Sequence, residues 1–177
     1  MKEYFYLQVG KNVRLVLPAD LVVETIALNW NQICPIPGVQ DPFLGAIDYQ
    51  GQLLWAIDLA EYLTYLLDLV PLPLSIEHAS RTDKLIGVAI APQPSNSETN
   101  INSQPVVWVV SQVYGEILLN PANFRSLPTK YKSLLAPYFS ALTELDLNPE
   151  VSDRTTVAIL NMNSLFSALE LQQDKFQ

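Results

Sequence analysis

A mainly β fold, arranged as two strand-rich halves that each end in a short helix, is predicted by three features of the sequence. Short runs rich in Val, Ile, Leu, Tyr and Phe recur along the chain, separated by Gly, Asn and Pro, and this is the rhythm of strands joined by tight turns. Helical i, i+3, i+4 spacing of apolar residues is confined to residues 59–68 and to the end of the chain. A local echo ties the halves together, because the nine residues from Trp55 to Leu63 align in type with those from Ala158 to Phe166. In each, an apolar strand passes through Asp58 or Asn161 into a helix, and both side chains are suited to capping that helix.

Residues 4–9 and 13–17 flank Gly10, Lys11 and Asn12 and are expected to pair as a hairpin. Pro18 then interrupts, and residues 19–26 read either as a short helical turn or as an irregular crossing. Residues 33–37 contain two prolines, which hold their predecessors extended, and Gly38 supplies a turn. A second hairpin is expected from residues 43–49 and 52–57 around Gln50 and Gly51. It runs into a helix with Leu59, Tyr62, Leu63, Leu66 and Leu67 on one face.

Residues 84–91 and 106–111 are strand candidates joined by a Ser-, Asn- and Pro-rich loop at 93–103. Further strands are expected at 113–119, 138–145 and 155–160, with polar turns at 120–123 and 148–153. Leu165, Phe166, Ala168 and Leu169 form the apolar face of a terminal helix. The expected organisation is one domain, with a first lobe over residues 13–83 and a second over 84–160, completed by the N-terminal strand and the C-terminal helix.

A chain of 177 residues removes roughly 70% of its unfolded surface from water on folding, enough for a stable core without staples. Its formal charge of −8 repels phosphate backbones and anionic headgroups, so nucleic acid and membrane surface are not expected partners. The start of the chain lacks the basic region and apolar run of an export signal, and one cysteine makes no internal disulfide, so a cytoplasmic location is expected. The longest apolar stretch, residues 53–74, is broken by Asp58, Glu61 and Asp68 and ended by Pro71 and Pro73, which is too costly a pattern for lipid.

Reactive constellations are scarce. The single histidine, His78, has no nucleophile pattern beside it and reads as a solvated linker residue. One His and one Cys do not furnish the ligands of a structural zinc. Cys34 lies between Ile33 and Pro35 without a cationic neighbour and is expected to be a buried small hydrophobe. None of the six glycines falls in a phosphate-binding pattern. The carboxylate pairs Asp58 with Glu61 and Glu144 with Asp146 are expected to be capping or solvated groups. No catalytic residue, metal or cofactor is therefore expected.

The stretch from Ile33 to Leu59, ICPIPGVQDPFLGAIDYQGQLLWAIDL, resembles the central signature of the CheW-like family. In outline that signature is a Pro-x-Pro-Gly turn, a Leu-Gly-x-Ile-Asn-Leu-Arg-Gly hairpin and an apolar strand ending in Asp-Leu. The preceding LPADLVVETI of residues 17–26 is similar to the family's segment before the turn. Across residues 84–166 the resemblance rests on strand order, the YFSALTEL stretch of residues 138–145 and the closing strand-to-helix echo. The family fold implied is two small five-stranded, SH3-like barrel lobes packed together with a few short helices.

The role implied is a non-enzymatic chemosensory adaptor that joins the cytoplasmic tip of a methyl-accepting chemoreceptor to the regulatory domain of a CheA-type histidine kinase, with recruitment to membrane-associated receptor arrays. Carried over by position, the receptor groove would contain Val22, Glu24, Asp48 and Gln50; Phe43, Tyr49 and Leu54 are candidates for the kinase contact by their place on the signature hairpins, with the interior of the strands as the other reading, above all for Phe43 and Leu54. Gln50 stands where the family usually has arginine and Asp48 where it has asparagine, which implies a receptor without the matching carboxylate. The alternative is a degenerate module of the same fold that takes a small ligand or an unrelated protein in the groove between the lobes.

Overall fold

Among the described residues, apolar runs place ten strands in two five-stranded sheets. The computed structural model describes residues 1–39, 41–69, 84–91, 105–148 and 153–173. Strands β1 (Lys2–Val9) and β2 (Val13–Pro18) form the expected first hairpin. Residues 19–26 divide, since Ala19–Leu21 is a 3-10 turn and Val22–Leu28 is strand β3. The second hairpin is β4 (Phe43–Tyr49) with β5 (Gln52–Asp58), followed by helix α1 (Leu59–Leu66). Strands β6 (Leu85–Ile90), β7 (Val106–Val110) and β8 (Gln112–Leu119) come next. A short helix α2 (Lys132–Leu135), which the sequence did not announce, precedes β9 (Phe139–Asn148), β10 (Asp153–Leu160) and helix α3 (Met162–Gln173). His78, the loop at 93–103 and most of the turn at 148–153 lie outside the described residues.

One sheet has the order β3-β6-β7-β5-β4 and the other β8-β1-β2-β10-β9. The lobes therefore do not divide near residue 83 as expected. Strands β6 and β7 belong to the first lobe, while β1 and β2 belong to the second. Each lobe is the same unit: a run of antiparallel strands, one parallel step (β7 to β5, β2 to β10), then a hairpin leading into a helix. The second copy is split, with its last two strands at the start of the chain. Register confirms the echo read from sequence, because Ala46 opposes Trp55 just as Leu142 opposes Ala158. Each hairpin also receives one bridge from the preceding connection, Cys34 to Ala46 and Arg125 to Leu142.

The sheets share a core. In β7 the side chains of Val106, Trp108 and Val110 face that shared core, whereas Val107 and Val109 face the first lobe's own interior. In β1, Phe5, Leu7 and Val9 face the shared core and Tyr4 and Tyr6 the second lobe's interior. Strands buried on both faces read as continuous apolar runs, and the period of two decides which core each residue enters. Trp108 lies at the centre, its ring 5.4 Å from that of Tyr62 and 6.2 Å from that of Phe166. Neither sheet closes into a barrel by backbone pairing among the described residues, so the expected barrels are curled sheets with open edges.

Both strand-to-helix junctions are capped as expected. Asp58 Oδ1 accepts from the amides of Ala60 at 2.9 Å and Glu61 at 3.2 Å. Asn161 Oδ1 accepts from Ser164 N at 3.4 Å. An N-cap side chain satisfies amides that have no intrahelical acceptor.

Candidate functional site

Strands β3 and β4 are opposite edges of the first sheet, and curling brings their side chains together. The hydroxyl of Tyr49, at the end of β4, donates a short hydrogen bond to Glu24 on β3. The same oxygen accepts from Gln50 Nε2 at 3.1 Å. Donation to Glu24 is the main reason that the phenol is held above its ordinary range, with partial burial adding to the effect. Three residues expected in two different contact sets, Glu24, Gln50 and Tyr49, thus form one junction across the gap between the edge strands.

The hairpin tip fixes the junction locally. Gln50 and Gly51 both have positive φ, 52° and 81°, the conformation of a two-residue turn whose twist matches the flanking strands. Asp48 Oδ1 accepts from Gly51 N at 3.0 Å, so Asp48 braces the turn while remaining exposed. Val22 stands apart from this group, half-buried against the shared core at the start of β3.

Two expected contact residues belong to the interior. Phe43 is 8% exposed and packs into the shared core, and Leu54 is 1% exposed in the first lobe's own core. Of the two readings of Phe43 and Leu54, burial favours the interior one over a side-chain contact with a kinase. Next to Leu54, Leu53 is 71% exposed, and on β3 Val23, at a register shift, is 51% exposed. Leu53 continues the row of Trp55 and Ile57 past the end of the core, so the two-residue period gave its face and the tertiary structure its exposure. Val23 had no such signal, because the bulge follows from pairing with β6.

Cys34 is exposed instead of buried. Ile33 takes the interior position, and the backbone of Cys34 pairs with Ala46 in both directions at 2.8 and 2.9 Å. Of the considered carboxylate pairs, Asp58 is a cap and Glu144 binds Arg125 at 2.6 Å, with Arg154 at 3.8 Å. A cleft of about 490 Å³ is lined by Phe124, Arg125, Thr143, Glu144, Asp146 and Arg154. It lies on the β9–β10 edge of the second lobe. Among the described residues no His, Cys, Asp and Glu group could hold a metal ion, and no helix is long and apolar enough to cross a membrane.

The family model described as CheW-like domain matches residues 3–170. No curated protein matches the chain. Among solved structures, the crystal structure of the scaffolding protein TtCheW from Thermoanaerobacter tengcongensis matches with a TM-score of 0.63 at 14% identity, covering 94% of this chain and 93% of that one. At that identity the likeness concerns the fold.

Proposed function

Since the matched domain fills residues 3–170, this chain belongs to the CheW-like domain family, and from that premise we propose that it is a non-enzymatic chemosensory adaptor in the cytoplasm. It couples the cytoplasmic tip of a methyl-accepting receptor to the regulatory domain of a CheA-type histidine kinase, and is recruited through them to membrane-associated arrays. The observation that carries this reading is the family match over nearly the whole chain. The junction of Glu24, Tyr49 and Gln50 supports it, because the residues carried over from the family signature meet on an exposed edge. Interfaces of this kind are small, with an apolar centre and a polar rim.

Within this reading Glu24, Asp48 and Gln50 face the receptor, and Tyr49 holds two of them in place. The neutral Gln50 suits a receptor without a carboxylate at the facing position. Titration of the full chain with the kinase regulatory domain and the receptor tip of the same organism tests the assignment. Dissociation constants below about 50 μM for both are expected, and absence of binding to either at that concentration removes the adaptor role. In the cognate receptor pair, Gln50→Arg is expected to weaken binding, and an unchanged affinity would count against the divergent-receptor reading.

A further inference from the structure

A polar cluster closes one end of the second lobe's own core. Tyr6 and Val16 line that core, and Gln8 and Arg14, paired in register, stand two residues away on the same faces of β1 and β2. Thr155 likewise stands two residues before the buried Val157 on β10. The guanidinium of Arg14 donates to Thr155 Oγ1 at 3.3 Å and lies 5.9 Å from the centre of the Tyr114 ring. Tyr114 stacks on Tyr6 at 4.5 Å, and its hydroxyl donates to Gln8 Oε1 at 2.8 Å.

Two groups of this cluster have bonding capacity to spare. Tyr6 is 4% exposed, and its hydroxyl is buried without a hydrogen-bond partner. Burial raises this phenol above its ordinary range, and Arg14, beside it but out of hydrogen-bond geometry, opposes the rise with its charge. Arg14 carries five N–H donors, and its hydrogen-bond acceptor among the described residues is the neutral hydroxyl of Thr155. The ion pairs among the described residues belong to Arg125 and Arg154, which engage Glu144. A costly unpaired hydroxyl thus lies next to a cation that no described carboxylate neutralises.

The fold does not demand this arrangement. Following strand register through both sheets, the first-lobe counterparts of Tyr6, Arg14 and Thr155 are Ala89, Pro105 and Gln52. Charge also separates the lobes. Residues 19–110, which contain every strand of the first sheet, hold ten Asp and Glu and two Lys and Arg, whereas the rest of the chain holds eight of each. An anion is repelled by the first lobe and meets no net charge at the second.

We propose that Arg14, Tyr6 and Thr155 form a binding site for a carboxylate, carried by a small organic acid or by the end of a peptide. A guanidinium offers a carboxylate two parallel N–H bonds and balances its single charge. The remaining lone pairs accept from the hydroxyls of Tyr6 and Thr155. A phosphate dianion would need further cations. The site is in the other lobe from Glu24, and the inference does not depend on the adaptor reading.

NMR titrations of the full chain at fixed ionic strength test it, with sodium acetate, inorganic phosphate, and N-acetyl-trialanine as the free acid and as the C-terminal amide. The free acid is expected to shift the Arg14 side-chain N–H and the amides of Tyr6, Tyr114 and Thr155, with half-saturation below about 10 mM. The amide is expected to shift none of them. Equal binding of acetate assigns the site to small acids, and weaker binding of acetate assigns it to chain ends. Arg14→Gln is expected to weaken the free acid at least tenfold, and Arg14→Lys, which keeps the charge without the fork, to weaken it less. Tyr6→Phe removes one buried oxygen and is expected to weaken binding about threefold without lowering the melting temperature, whereas a purely structural hydroxyl would leave affinity unchanged. Lys2→Gln, an exposed cation on the same strand as Tyr6, is the control and is expected to change nothing. Absence of carboxylate binding, tighter binding of phosphate, unchanged affinity in Tyr6→Phe, or equal effects of Arg14→Gln and Lys2→Gln would overturn the proposal. Failure of the kinase domain and receptor tip to bind bears on the adaptor role alone.

Discussion

The hydroxyl of Tyr62 on α1 donates to the backbone carbonyl of Leu165 on α3 at 3.3 Å, joining the helices that close the two lobes. Burial pushes this phenol well above its ordinary value of 10.0, with the nearby Tyr138 and Tyr65 hydroxyls adding to the shift. A group whose folded pKa is raised binds its proton more tightly in the folded state, so its contribution is present below pH 10 and is lost as pH rises through the folded value. Tyr62→Phe is expected to cost about 1 kcal/mol at neutral pH. The same variant should lose stability less steeply than the parent above pH 10, and urea titrations at pH 7 and pH 11 measure the difference.

Trp108 is 0% exposed, and its indole nitrogen is buried without a hydrogen-bond partner. Trp108→Ala removes the contacts with both Tyr62 and Phe166 and is expected to cost about 3–5 kcal/mol. Trp108→Phe keeps an aromatic ring and deletes the unsatisfied N–H, so its cost should be clearly smaller. Thermal unfolding of the two variants side by side checks the order, and equal losses would refute it.

The two helix caps should differ in strength. Asp58 is 1% exposed and accepts two amides, whereas Asn161 makes one longer bond. Asp58→Ala is expected to cost about 2 kcal/mol and Asn161→Ala about 0.5 kcal/mol, read from urea midpoints.

Gly45 lies where the backbone of residue 34 crosses β4. Its φ is +142°, and a Cβ there would stand 2.3 Å from the carbonyl oxygen of Cys34. Gly45→Ala is expected to cost about 3 kcal/mol or more, because both the bridge to Cys34 and the local backbone must yield. Cys34→Ser alters only an exposed side chain and should stay within about 0.5 kcal/mol of the parent, assigning the effect to backbone packing. Amide exchange at residues 34 and 46 provides the local readout.

What the sequence by itself determined was local. Turn residues around Gly10 and Gly51 marked both hairpins, and the Asp58 and Asn161 junctions located the start of both long helices. The spacing of Leu59, Tyr62 and Leu63 gave α1 its buried face, because a helix repeats every 3.6 residues and a strand every two. The signature around Ile33 to Leu59 also led to the family.

Tertiary structure alone decided which strands are neighbours. Apolar alternation shows that β6 and β7 have buried faces, but the pattern is the same whichever sheet accepts them, and only backbone pairing assigns them to the first lobe. The same limit explains Phe43 and Leu54, whose hairpin was placed correctly while the choice between interior and contact face stayed open in the sequence. Cys34 turned outward because pairing with Ala46 sends Ile33 inward. Glu24 and Tyr49 meet because the first sheet curls until its edges approach, and that closure depends on the summed twist of five strands, which no local stretch of residues encodes.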